Sequence, residues 1–87
     1  MNEVRFSTRF KKDIKRYEHD ELKLMHLYKI VSLLEKDERI PQQYLPHRLK
    51  GEYKGCMECH IENDYLLIWR DPVNSIIWLE RLGSHSE

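Results

Sequence analysis

The chain has 87 residues, 40% apolar, 10% aromatic and 34% charged, which suffices for one small core and predicts a single domain over residues 1–87. Fifteen basic residues balance fifteen acidic ones, so the basic excess of most nucleic-acid binders is missing; any RNA contact must come from a local patch or from RNA presented by a larger machine. No run approaches the ~20 apolar residues of a membrane-spanning helix, and the opening M-N-E-V-R-F-S has no apolar signal region, so the expected location is the cytoplasm, with both cysteines reduced.

Residues 2–6 alternate enough for a short first strand, and Ser7 or Thr8 can cap a helix. Phe10, Ile14 and Tyr17 recur at helical spacing, while Arg9, Lys11, Lys12, Lys15 and Arg16 form the opposite, solvated face. The E-H-D break at 18–20 leaves Asp20 to cap a second helix. Its core stripe is Leu24, Leu27, Tyr28, Val31 and Leu34, widened by Ile30 and Leu33. So short a break predicts an antiparallel helical hairpin. Pro41 stops the helical region, and Pro46 closes a loop from about Asp37.

The rest reads as strands. His47–Lys50 is a short one, and Gly51 and Gly55 bracket a turn. Residues 56–62 alternate, with Met57, Cys59 and Ile61 on one face and Glu58, His60 and Glu62 on the other. Asn63-Asp64 is a turn. Residues 65–70 and 75–82 are apolar runs joined by D-P-V-N, a central hairpin buried on both faces. The expected class is α+β: an N-terminal strand, a two-helix hairpin, then a mostly antiparallel sheet with the helices on one face. The other face is left for chemistry.

Cys56-Met57-Glu58-Cys59-His60 matches the C-x-x-C-H signature of haem attachment. In a strand the two sulfurs point to opposite faces, which also argues against a zinc hook and a Cys56–Cys59 disulfide. The expectation is a core Cys59, a half-exposed Cys56 and no cofactor or metal.

His47, His60, Asp64, Arg81 and His85 fall among these strand-like runs. Their spacing excludes a local H-x-x-x-H metal motif. Histidine transfers protons near neutral pH, arginine clamps phosphate oxygens with a planar fork, and a carboxylate holds a histidine tautomer or acts as a base. Together these groups meet the needs of metal-free phosphodiester cleavage.

His47-x-Leu49-x-Gly51, Lys54-Gly55, His60, Asp64-Tyr65, Leu67-Ile68 and Glu80-Arg81-x-Gly83-x-His85 resemble the YafQ branch of the RelE-type toxins, and F-K-K-D-I-K extends the likeness through the N-terminal half. The resemblance implies a small α+β ribonuclease that enters the ribosomal A site and cuts mRNA without metal, the 2′-OH attacking the adjacent phosphate. It implies catalytic roles for His47, His60, Asp64, Arg81 and His85, phosphate contacts from Lys50 and Lys54, and a base stacked on Tyr65, where the family pattern has Trp. It also implies a cognate antitoxin of ribbon-helix-helix type, and a short apolar ending beyond His85, where this sequence stops at Glu87. The balanced charge and that ending keep a second reading open, a toxin-fold protein that only binds its antitoxin and takes part in autoregulation.

Overall fold

The computed structural model describes residues 1–85; the ending after His85 lies outside them. The elements are β1 (Glu3–Phe6), α1 (Thr8–Lys15), α2 (Glu21–Glu35), β2 (His47–Arg48), β3 (Cys56–Glu62), β4 (Tyr65–Arg70) and β5 (Ile76–Gly83), with 3-10 turns at Gln42–Tyr44 and Gly51–Tyr53. The five strands form one sheet in the order β1-β5-β4-β3-β2. Only the β1–β5 pair is parallel among the described pairings. This is the expected α+β architecture.

Both helix starts follow from their caps. The Ser7 side chain accepts from the Phe10 amide, and Asp20 accepts from the Lys23 amide, each satisfying an N–H that has no partner within the helix. The Ser7 hydroxyl also donates to the Glu80 carbonyl, which ties the start of α1 to β5.

Strand parity then sorts the side chains. Phe10, Leu27, Ile30, Val31 and Leu34 of the helices pack on Cys59, Tyr65, Leu67, Trp69, Ile77, Leu79 and Leu82 of the sheet. Tyr28, expected in this core, is exposed instead, together with Leu22 and Met25 of the same helix. Cys56, expected half-exposed, is fully buried, on the sheet face opposite Cys59. Burial of Cys59 pushes its thiol up to about 12.

Two irregularities matter for the site. Between His60 and Glu62 the β3–β4 register shifts, so that Glu62 pairs with Tyr65. This β-bulge turns Glu62 to the helix side, where Lys23 and His26 meet it at 2.9 and 3.0 Å. Glu62 therefore does not share the face of Glu58 and His60. A second bulge at Glu80 pairs Arg81 with Ile68, placing Arg81 on the open face. The β4–β5 hairpin closes through Asn74 and Ser75, both left-handed, with reciprocal Val73–Ile76 backbone hydrogen bonds, a two-residue turn suited to the twist of the flanking strands.

Candidate active site

The strand register lays out the open face. His47, Glu58, Ile68 and Arg81 stand in one row across β2, β3, β4 and β5. His60, Leu66 and Gly83 form the next row, and His85 follows two residues beyond Gly83.

Glu58 sits at the centre and is only 3% exposed. Its Oε1 lies 3.1 Å from His47 Nε2, and its Oε2 lies 3.1 Å from His85 Nε2. A carboxylate buried this far is costly unless it is paired and hydrogen-bonded; His85 gives it a hydrogen bond and His47 a close polar neighbour. His47 Nδ1 lies 2.8 Å from the Leu45 carbonyl, which can only accept.

His60 lies between these two histidines, its ring centroid 6.1 Å from that of His47 and 6.3 Å from that of His85. Its Nδ1 is 3.4 Å from the Asn63 carbonyl, a long contact. The exposed Asp64 lies in the turn after β3 and makes no ion pair with His60. The carboxylate beside the histidines here is Glu58, which the sequence reading placed on the face of His60 without a role.

Arg81 comes to the same face but is anchored from outside the sheet. Its Nε lies 2.8 Å and its Nη2 3.2 Å from the carboxylate of Asp13 in α1. Asp13 is 2% exposed and also accepts from the Leu82 amide at 2.9 Å. Burial alone would raise its pKa; the Arg81 and Leu82 hydrogen bonds and the charges of Arg81 and Arg16 outweigh that and lower it. The Asp13 bond, with Tyr53 nearby, raises the pKa of Arg81. Tyr53, Glu58, Leu66, Ile68, Arg81 and His85 line a pocket of about 140 Å³.

Tyr65 cannot stack on a base as the sequence reading expects. It is 2% exposed, lies on the helix side against Tyr17, and donates its hydroxyl to the Lys23 carbonyl. The aromatic ring that lines the pocket is Tyr53. Tyr65→Ala is thus expected to cost about 3–5 kcal/mol of stability, as for other large buried aromatics. Tyr53→Ala should cost far less and act on RNA cleavage instead. Urea unfolding of the two variants separates them, and equal destabilisation would reverse this assignment.

Lys50 and Lys54 are exposed on the loop around the Gly51–Tyr53 turn, beside Arg48. His47, Glu58 and His60 also bring three ligand-type atoms within 4.8 Å of one another. Imidazole and carboxylate donors suit zinc or copper, and a tetrahedral ion would draw such atoms in to roughly 3.3 Å apart. The residue types therefore fit a transition metal after a small closure.

A family model described as "Bacterial toxin of type II toxin-antitoxin system, YafQ" matches residues 2–87. The chain is 27% identical over 88 residues to the mRNA interferase toxin YafQ of Escherichia coli K12, covering 99% of this chain and 94% of that protein. The crystal structure of a metal-bound toxin from Helicobacter pylori superposes with a TM-score of 0.87 at 36% identity, covering 99% of this chain and 97% of that one. The toxin of the E. coli DinJ–YafQ complex superposes with a TM-score of 0.84 at 26% identity, covering 99% and 96%.

Proposed function

We propose that this chain, which belongs to the YafQ family of bacterial toxins of type II toxin–antitoxin systems, is an endoribonuclease that cuts mRNA in the ribosomal A site. The observation behind this reading is the buried Glu58 carboxylate bridging His47 and His85, with His60 and Arg81 at its flanks. Relatives named mRNA interferase support it.

The reaction needs three things, and the site has groups for each. A base must take the proton of the ribose 2′-OH as that oxygen attacks phosphorus. His60, on the open face between His47 and His85, takes this role. An acid must protonate the departing 5′-oxygen. His85 donates one nitrogen to Glu58, so the other is turned toward the open side of the sheet. Charge building on the phosphate oxygens must be met by a cation, and Arg81 meets it. The products are a 2′,3′-cyclic phosphate and a free 5′-hydroxyl. The 2′-OH supplies the nucleophile, so no metal-bound water is required. A transition metal on His47, Glu58 and His60 would tie up ring nitrogens that the reaction uses, and so compete with it.

The ribosome explains how a chain of zero net charge handles RNA, since the larger machine presents the strand. Its partner in the cell is a cognate antitoxin of ribbon-helix-helix type, in line with the E. coli relative's complex with DinJ. Leu22, Met25 and Tyr28 form an exposed apolar stripe on α2 that suits such a protein partner.

The test is cleavage of a defined mRNA on programmed ribosomes, with protein stripped by a chelator that spares magnesium. The stripped parent should cut at the A-site codon, and His60→Ala and His85→Ala should each lose about 10²–10⁴-fold in rate. Added copper or zinc should slow the parent. Tight antitoxin binding without any cleavage would select the binding-only reading.

A further inference from the structure

We propose that Asp13 is a positioning residue for cleavage: it holds the Arg81 guanidinium by one edge, presents the other edge to the phosphate, and keeps the arginine off Glu58. This rests on the nuclease reading above. It concerns a residue of the F-K-K-D-I-K stretch that reading leaves without a role.

The geometry carries it in three steps. First, Arg81 meets Asp13 side-on, through Nε and Nη2 at 2.8 and 3.2 Å. A guanidinium has five N–H donors in a fixed plane. Two go to Asp13, so the remaining donors lie toward the outer end of the fork. The Arg81 side chain is 28% exposed, and it lines the same pocket as Glu58 and His85.

Second, the anchor is rigid. Parallel pairing of β1 with β5 stops at Phe6–Leu79, leaving the edge of β5 open beyond it. α1 runs along that edge, fixed by the fully buried Phe10 and by the Ser7–Glu80 hydrogen bond. Asp13 then accepts the Leu82 N–H that no strand covers. One carboxylate thus closes the sheet edge and grips the neighbouring side chain.

Third, a loose arginine has a wrong place to go. Arg81 and Glu58 are in one row two strands apart, about 10 Å between backbones. A freed guanidinium can swing across Ile68 toward this buried carboxylate, competing with His47 and His85 for it. Asp13 holds it at the far side of the pocket. Arg16, with Nη1 3.8 Å from Asp13, adds a second positive charge beside the pair, so the trio stays cationic.

Asp13→Asn is the informative change. Its amide oxygen, in the place of Oδ2, can still accept from Leu82 and from Arg81 Nε, while its NH2, in the place of Oδ1, cannot accept from Arg81 Nη2, so one leg of the clamp is lost. Thermal melting should show a folded protein. On programmed ribosomes kcat should fall about 100-fold, the scale of a misplaced catalytic group, with KM changed much less. Once Arg81 has been replaced by lysine, adding Asp13→Asn should cost little more, because the fork it positions is already gone. Equal kcat for Asp13→Asn and the parent, or losses that multiply in the double variant, would overturn the proposal. A readout free of catalysis comes from the 15N spectrum. The Arg81 Nη2 protons should exchange slowly in the parent and lose that protection in Asp13→Asn. Fast exchange in the parent refutes the clamp, whatever the cleavage result. A parent with protected Nη2 protons that cuts no mRNA would refute the nuclease reading and the catalytic role of Asp13 with it.

Discussion

Glu58→Gln is expected to leave the fold in place and slow cleavage by about 10²–10⁴-fold, the range seen when a buried carboxylate stops orienting a catalytic histidine. Gln is nearly the same size as Glu, so Ile68, Leu66 and the strand pairing need not move. The loss is in hydrogen-bond polarity. Glu58 accepts from His85 on Oε2 and faces His47 Nε2 at 3.1 Å with Oε1. An amide has one accepting oxygen and one donating nitrogen, so one of the two histidines must turn or present a lone pair. If it is His85, the nitrogen facing the leaving group carries the proton in the wrong place. If it is His47, the site loses the contact that holds this ring beside the carboxylate. Single-turnover cleavage by Glu58→Gln, with circular dichroism to confirm folding, checks this. Full activity would mean that the His–Glu–His bridge is only structural. Glu58→Ala is a poorer probe, because it opens a hole beside two exposed histidines and confounds packing with chemistry.

Glu58 was the residue hardest to value from the sequence. It sits between two cysteines of a C-x-x-C-H string and shares a strand face with His60, and nothing in that string shows that it is buried. Its importance comes from β2, a two-residue strand that brings His47 alongside, and from the end of β5, which brings His85. Both are long-range pairings. Period-two alternation placed Glu58 and His60 together correctly, and it failed one step later at Glu62, because a bulge adds a residue without leaving a mark in the polarity pattern.

The aromatic assignment failed for a related reason. Tyr65 follows a turn and precedes an apolar run, so either face was open to it. The core took it, through Tyr17 and the Lys23 carbonyl. Tyr53 lies in a glycine-bracketed turn that alternation cannot orient. The helix caps were legible because Ser7 and Asp20 act within three residues of themselves. The Asp13–Arg81 pair spans 68 residues. The sequence offers Arg81 as a phosphate clamp, and the structure pairs it with the Asp13 carboxylate.

The division of labour between His60 and His85 has its own expected result. An mRNA carrying a bridging 5′-phosphorothiolate at the scissile bond has a leaving group that departs without being protonated. Cleavage of this substrate by His85→Ala should recover most of the 10²–10⁴-fold that general acid catalysis is worth, at about the parent's rate on the same RNA. His60→Ala should stay slow, because the 2′-OH still has to lose its proton. Arg81→Lys should also stay slow on both substrates, since a lysine keeps the charge but not the fork that Asp13 holds and the phosphate meets. Glu58→Gln offers an internal check. If its defect lies in His85, the sulfur substrate rescues it; if the defect lies in His47, rescue is small, because leaving-group protonation is then intact. Equal rescue of His60→Ala and His85→Ala would mean that neither histidine is the dedicated acid, and the proton on the leaving oxygen would then have to come from elsewhere in the A site.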